Sequence, residues 1–210
     1  MEVYRNILEK NKEWAAAQLR EDPEYFSRLT ELQSPEILWI GCSDSRVPAD
    51  RITGTQPGEI FVHRNISNLV ILTDLNMLSV LQFAVEILKI KHIIVCGHHN
   101  CGGIAAALSN NSYGLMDQWI WNIKNVYSMY RDEIDKLPTF SEKHSLLTKL
   151  NVIEQVKNLA KTSIIQNAWK ERSTPYLHGW VYDLRDGIVN PIFEMNSETP
   201  SDPIYEFTNI

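Results

Sequence analysis

The 210-residue sequence contains no apolar run of the roughly 18 to 20 residues that a membrane-spanning helix needs. Its first twenty residues also lack an apolar signal-peptide core, because charged residues such as Arg5, Glu9 and Lys12 interrupt the apolar positions. We therefore expect a soluble protein without a membrane partner. We interpret the beginning of the chain as an amphipathic helix that belongs to the mature protein.

Positive charge is scarce as well. Lys and Arg total 20 against 26 Asp and Glu, which gives a formal net charge of -6 at pH 7. The one basic block that stands out in the sequence is 89–92. A chain with this charge balance is poorly suited to bind nucleic acid, so we expect no nucleic-acid partner.

Cysteine is also rare, and the chain has three, which are Cys42, Cys96 and Cys101. An odd number of cysteines does not suggest a disulfide framework. No Cys-x-x-Cys pair is present to support a thiol oxidoreductase. We expect a cytoplasmic protein whose reduced thiols serve a metal or a reaction.

The apolar pattern predicts an α/β fold. Short continuous apolar runs are typical of strands buried on both faces, and they occur at 37–40, 60–63 and 92–95. Apolar residues at helical spacing predict helices over 2–20, 23–32, 74–88, 104–108, 115–134 and 141–171, with Asp74 as an N-cap. Two further strands, 176–184 and 188–193, flank the turn dipeptide Asp186-Gly187.

Strands that are separated by helices pair in parallel through right-handed crossovers. We therefore predict a mostly parallel central β-sheet flanked by helices, with a C-terminal hairpin that extends the sheet. The sequence shows no repeat and no linker, which predicts one domain over 1–210. Its parts are a helical arm, a core with the candidate metal residues, a helical region, and a hairpin with a tail, at 1–34, 35–110, 111–172 and 173–210.

Two predicted strand ends carry the residues of chemical interest. The segment 42–46 follows the first strand, and the segment 96–103 includes the end of the third. Because parallel strands place their carboxyl ends at one edge of a sheet, we expect both segments to meet there. His98 and Cys101 are three residues apart and can point at one centre, and Cys42 completes a set of two thiolates and one imidazole.

This set of donors favours zinc over magnesium or calcium. Three protein ligands leave the fourth tetrahedral position to water, which is the arrangement of catalytic zinc. His99 competes with His98 as the imidazole ligand, although the spacing to Cys101 favours His98. A single cysteine at a strand end is more often a small buried residue, and we interpret Cys96 in that way.

Asp44 and Arg46 are two residues apart and project to the same side of an extended segment. A carboxylate that is fixed by a guanidinium can accept a hydrogen bond from a metal-bound hydroxide and orient it. The guanidinium also keeps the carboxylate ionised. Gly97, Gly102 and Gly103 let the chain turn sharply beside the metal, and we expect Gly102 to face a small substrate.

Three segments resemble the signature segments of the β-class carbonic anhydrases. They are Cys42-Ser-Asp-Ser-Arg-Val-Pro, His63-Arg-Asn-Ile-Ser-Asn and Cys96-Gly-His-His-Asn-Cys-Gly-Gly. The resemblance extends from about Gln33 to the segment His178-Gly-Trp-Val-Tyr. It implies an enzyme that interconverts carbon dioxide and bicarbonate with one Zn²⁺ per chain. The implied zinc ligands are Cys42, His98 and Cys101. Asp44 and Arg46 are the implied catalytic dyad, and Gln33 is the implied substrate-facing glutamine.

The resemblance also suggests regulation. In one subtype of the family, bicarbonate binds beside the active site through a tryptophan, an arginine and a tyrosine. The aspartate then leaves its arginine and becomes the fourth zinc ligand. Trp39, Arg64 and Tyr182 are similar in position to these three residues. The implied switch lies between an open form with an Asp44–Arg46 pair and a closed form with Asp44 on zinc.

Two other functions stay open at the level of sequence. The same fold and zinc site can act on another small electrophile, such as carbon disulfide. The chain can also be a zinc-stabilised binding module, although a structural site would use a fourth cysteine or histidine in place of the Asp44–Arg46 pair. The amphipathic N-terminal helix has no obvious groove within the chain, which predicts a homodimer or a dimer of dimers.

Overall fold

The computed structural model describes residues 2–210 and divides the chain into two compact units. The first unit ends at Ser34 and contains the helices α1 and α2, Glu2–Glu21 and Tyr25–Leu29. Trp14 lies edge-on to Tyr25 and Phe26, with ring centroids 6.2 and 5.6 Å apart. The first predicted helix is confirmed, the second is shorter than predicted, and the single domain stays a prediction.

A five-stranded sheet forms the centre of the second unit, Pro35–Ile210. The strands β1 to β5 are Ile37–Cys42, Ile60–Asn65, His92–His98, Tyr176–Tyr182 and Val189–Met195. Their order in the sheet is β2-β1-β3-β4-β5; the first four are parallel, and β5 runs antiparallel to β4. The predicted fold class is therefore confirmed, including the C-terminal hairpin.

Helices connect and cover these strands. The helices α3 to α9 are Ala49–Thr53, Leu75–Gln82, Gly102–Ala107, Met116–Met129, Arg131–Ile134, Phe140–Ala160 and Ser163–Arg172. Short 3-10 turns occur at Ile66–Asn68 and Pro203–Tyr205. None of the helices formed by residues 2–210 combines the length and the apolar character that a bilayer crossing requires.

The strands β1 and β3 are buried on both faces of the sheet, which explains their continuous apolar runs in the sequence. On one face, Leu38 and Val95 belong to a core that includes apolar residues of α4, α8 and α9. On the other face, Trp39 and Ile94 pack together with Cys96. Cys96 is thus a buried structural residue, as its position in the strand predicts.

Two helices stand where the apolar spacing predicts one helix over 141–171. α8 ends at Ala160, and Thr162 begins α9 by accepting a hydrogen bond from the amide of Ile165. Both helices pack against the same core, so the apolar spacing continues across the break and does not reveal it. The predicted helix over 115–134 is also divided, because Tyr130 leaves the helical region between α6 and α7.

The predicted helix over 74–88 begins as expected but changes its geometry. Asp74 is the N-cap, and its carboxylate accepts a hydrogen bond from the amide of Asn76. The segment Phe83–Ile87 is π-helical and directly follows α4. A single inserted π turn shifts the helical register without changing the apolar composition, so this change has no signal in the sequence.

Candidate metal centre

The ends of two neighbouring strands bring three predicted ligands together. Cys42 ends β1, His98 ends β3, and Cys101 lies immediately before α5. One side-chain donor atom from each residue lies within 4.8 Å of the other two, and the two Sγ atoms are 4.0 Å apart. All three residues are buried, so little solvent reaches the donor atoms.

The His98 ring has one nitrogen available for a metal. Its Nδ1 lies 2.9 Å from the carbonyl oxygen of His99, which requires that Nδ1 carry the proton and donate it. Its Nε2 is buried and has no hydrogen-bond partner among residues 2–210. A buried imidazole nitrogen without a hydrogen-bond partner is suited to bind a metal ion. His99 does not belong to this cluster of donor atoms.

The two thiol groups contact each other directly. The hydrogen bond between them raises the pKa of Cys42 and lowers the pKa of Cys101, because the two sulfurs share a proton. A divalent cation that replaces this proton can stabilise both thiolates. Two thiolates and one imidazole with a further open position are the donor set of catalytic zinc, so the residues fit the metal that was predicted.

Asp44 and Arg46 form the predicted pair at the rim of this cluster. Arg46 Nε donates to Asp44 Oδ1 at 2.9 Å, and Arg46 Nη2 donates to Asp44 Oδ2 at 2.8 Å. The Arg46 amide donates to the same Oδ1 at 2.9 Å. These hydrogen bonds hold the pKa of Asp44 well below its usual range, so the carboxylate is ionised at neutral pH. Asp44 Oδ2 lies 3.8 Å from His98 Nε2.

The three residues of the implied regulatory site lie on one face of the sheet. Strand register places Gly41 beside Arg64 and His98 beside Tyr182, and both pairs point to the same side as Trp39. The Arg64 guanidinium donates to the carbonyl oxygens of Cys42 and Asp44, at 2.8 and 2.6 Å. Trp39 is buried edge-on against Trp180. In this structure Arg64 therefore braces the chain that carries a candidate ligand and the dyad.

Close packing requires a glycine at positions 97 and 103 but not at position 102. A Cβ on Gly97 would lie 2.6 Å from Val152, and a Cβ on Gly103 would lie 2.1 Å from the Ser67 hydroxyl. Gly102 is exposed and has open space where its Cβ would be. The first two glycines are thus needed for close packing. The substrate-facing role of Gly102 stays a prediction.

Gln33 lies in the first unit and is exposed. Its predicted contact with substrate also stays a prediction.

Two residues that support the cluster were given no role in the sequence interpretation, although Ser67 lies within the signature segment 63–68. His144 Nε2 lies 2.9 Å from the carbonyl oxygen of Cys101 and donates to it. The Ser67 hydroxyl lies 3.3 Å from Cys101 Sγ. His144 belongs to α8, and Ser67 follows β2, so both reach the cluster from distant parts of the chain. Only their tertiary contacts show what these two residues do.

Comparison with known proteins now identifies the family. A family model described as carbonic anhydrase matches residues 37–189. The chain is 45% identical to a carbonic anhydrase of Emericella nidulans over 191 residues, which cover 91% of this chain and 84% of that protein. A crystal structure of a β-carbonic anhydrase from Aspergillus fumigatus matches with a TM-score of 0.87 at 40% identity, covering 94% of this chain and 92% of that one. The chain belongs to the β-carbonic anhydrase family.

A second solved structure supports the same family. A tetrameric β-carbonic anhydrase from Sordaria macrospora matches with a TM-score of 0.89 at 38% identity, covering 93% of this chain and 100% of that one. The resemblance drawn from the three motifs is therefore confirmed for the family. The chain is an enzyme of the carbonic anhydrase type, and its Cys42, His98 and Cys101 form a group that can hold a metal ion, as the zinc enzymes of the β-class require.

Proposed function

We propose that this chain catalyses the reversible hydration of carbon dioxide to bicarbonate and a proton, with one zinc ion held by Cys42, His98 and Cys101. The observation that carries the proposal is the convergence of these three donors within 4.8 Å, beside an ionised carboxylate. Zinc bound there supplies the Lewis acidity that makes water a nucleophile near neutral pH, an effect for which carbonic anhydrase is itself the standard example.

Asp44 and Arg46 orient the nucleophile in this proposal. Asp44 is ionised and can therefore only accept a hydrogen bond. The nucleophile beside it must therefore carry a proton that it can donate to the carboxylate. The O–H bond points at the carboxylate, and a lone pair is left facing the carbon dioxide. Arg46 contributes three hydrogen bonds that fix the carboxylate in place, which reduces the cost of reorganisation during the reaction.

A comparison of two substrates tests the proposal against its nearest rival. Stopped-flow assays of the zinc-loaded enzyme with carbon dioxide and with carbon disulfide are expected to show rapid hydration of carbon dioxide alone. Turnover of carbon disulfide without hydration of carbon dioxide would favour the rival electrophile. A folded, zinc-loaded protein that turns over neither substrate would favour a binding module.

Bicarbonate regulates the enzyme through closure of the site in this proposal. Asp44 Oδ2 is 3.8 Å from Nε2 of the candidate ligand His98, so the carboxylate could reach a metal held by that nitrogen once Arg46 releases it. Trp39, Arg64 and Tyr182 lie on one sheet face, and Arg64 contacts the backbone of Asp44. Bicarbonate that competes for the Arg64 guanidinium would loosen this brace.

Closure has a structural test. In crystals of the zinc-loaded enzyme with saturating bicarbonate, we expect the Asp44 carboxylate on zinc and the Arg46 guanidinium released. In solution, we expect a steep loss of activity as the pH falls. An intact Asp44–Arg46 pair under saturating bicarbonate, together with a shallow pH profile, would show that the chain has no such switch.

Assembly as a homodimer or a dimer of dimers completes the proposal. No residue of α1 is buried, and Val3, Ile7 and Leu8 are exposed apolar residues on this helix. Such a surface is stabilised when a second subunit covers it. The related Sordaria macrospora enzyme is tetrameric.

Light scattering during size-exclusion chromatography is expected to give a multiple of the 24.2 kDa chain mass, and a stable, active monomer would contradict this assembly.

A cytoplasmic location belongs to the same proposal. It is supported by the three free thiols.

A further inference from the structure

Ser67 lies within hydrogen-bond distance of both candidate thiolate ligands. Its backbone N–H points at Cys42 Sγ over 3.4 Å, and its hydroxyl oxygen is 3.3 Å from Cys101 Sγ. The residue is completely buried. A thiolate can only accept hydrogen bonds, so the hydroxyl must donate when Cys101 is ionised. One residue thus supplies a donor to each sulfur.

We propose that Ser67 is a positioning residue that donates a hydrogen bond to each of the two thiolate ligands and thereby sets the strength of metal binding. This inference rests on the proposed function, because it concerns the same three ligands. It adds a fourth residue to the centre, one that touches the ligands and not the metal.

The backbone of Ser67 is held in an unusual conformation. Its φ of 65° and ψ of 28° lie in the left-handed region, which residues with a side chain rarely adopt. This conformation interrupts the short turn after β2 and directs the Ser67 N–H at Cys42. Strained backbone of this kind persists where the surroundings hold it in place, and it is concentrated at functional sites.

Buried amide side chains supply that support. Asn151 Nδ2 donates to the Ser67 carbonyl oxygen at 3.2 Å, and Gln155 Nε2 donates to Asn151 Oδ1 at 3.1 Å. The Val70 amide in turn donates to Gln155 Oε1 at 2.8 Å. Helix α8 therefore holds the loop that carries Ser67 at two points. A network in which each member has a partner can fix a donor in position.

The space around the hydroxyl is equally specific. A Cβ on Gly103 would lie only 2.1 Å from Ser67 Oγ and 3.1 Å from Ile66 Cγ2. Any larger residue at that position would displace the hydroxyl from Cys101. The glycine at the start of α5 therefore leaves room for the serine, which accounts for a glycine that the metal itself does not require.

Hydrogen bonds from Ser67 reduce the electron density on the two sulfurs. The two donors also hold the sulfurs in position for a common metal ion. Supporting residues of metal sites typically change metal affinity by about 10- to 100-fold when they are replaced.

Two substitutions separate the hydroxyl from the backbone. Ser67→Ala removes the hydroxyl and retains the strained conformation, whereas Ser67→Gly removes the hydroxyl and relieves the strain. Thr162→Ala is the matched control, because it also removes a buried hydroxyl. The Thr162 hydroxyl caps α9 and lies far along the chain from the ligands. If Ser67→Ala does not fold, Ser67→Gly carries the test alone.

The readouts are zinc affinity in competition with a chelator and the thiolate-to-metal charge-transfer band of the cobalt-substituted protein. We expect both Ser67 variants to bind zinc about 10-fold more weakly. Their cobalt band should move to longer wavelength, because a thiolate without its hydrogen bond gives up an electron more easily. Thr162→Ala should lower the melting temperature and leave affinity and band unchanged.

Wild-type affinity and an unmoved band in both Ser67 variants would overturn the inference, as would equal changes in Thr162→Ala. The proposed function fails in a different way. In that case the wild-type chain itself binds no zinc or does not hydrate carbon dioxide.

Discussion

Single substitutions Cys42→Ala, His98→Ala and Cys101→Ala are each expected to abolish tight zinc binding and carbon dioxide hydration. Each variant leaves two protein ligands, and a dialysed sample should then contain far less than one zinc per chain. Loss of Lewis-acid stabilisation worth several kcal/mol corresponds to a rate loss of roughly 10³-fold or more. Zinc is measured by elemental analysis, and activity by stopped-flow hydration of carbon dioxide.

Cys96→Ala is the matched control for this experiment. Cys96 is a third buried cysteine on the same strand as His98, but it packs against Trp39 and lies outside the cluster of donor atoms. Its variant should keep one zinc per chain and wild-type turnover, with some loss of thermal stability. A ligand variant that retains full zinc and full activity would remove that residue from the centre.

Asp44→Asn is expected to retain zinc and to lose roughly 10²- to 10⁴-fold in turnover. The amide has nearly the same shape as the carboxylate but also donates hydrogen bonds, so it no longer selects and orients the nucleophile. Arg46→Gln should also lower turnover, because the carboxylate loses the two side-chain hydrogen bonds of Arg46 and keeps only the one from the backbone amide. The double variant should be little worse than Asp44→Asn, since two residues that act as one unit do not give additive losses.

A second aspartate–arginine pair provides an internal control. Arg185 donates to Asp183 through its amide at 2.9 Å and through Nη2 at 2.7 Å, with the same spacing of two residues. This pair follows β4 and is not part of the cluster of donor atoms. Asp183→Asn should therefore keep its zinc and near wild-type turnover. Equal losses in the Asp44→Asn and Asp183→Asn variants would show that the first pair has only a structural role.

The sequence was sufficient to predict the sheet and the cluster of donor atoms, because both depend on local patterns. Continuous apolar runs indicate strands buried on both faces, and residues at the carboxyl ends of such strands meet at one edge. Cys42, His98 and Cys101 follow from these two rules and from the donor preferences of zinc. The Asp44–Arg46 pair follows from its spacing of two residues.

The supports of the centre could not be predicted in this way. Ser67, His144 and Asn151 lie in different parts of the chain, and ordinary serine, histidine and asparagine residues have many roles. Their function depends on hydrogen bonds that form only after the sheet and α8 have packed. The break at Thr162 was missed for a related reason, since the packed core sets the apolar spacing of the helices on both sides of it.

X-ray absorption spectroscopy at the zinc edge tests the central claim most directly. The account predicts two sulfur ligands at about 2.3 Å and two nitrogen or oxygen ligands at about 2.0–2.1 Å in the wild-type enzyme. Cys42→Ala and Cys101→Ala, loaded with excess zinc, should each lose one sulfur from this shell. A wild-type shell with four sulfurs, a shell with none, or a purified protein that holds no zinc would contradict the account.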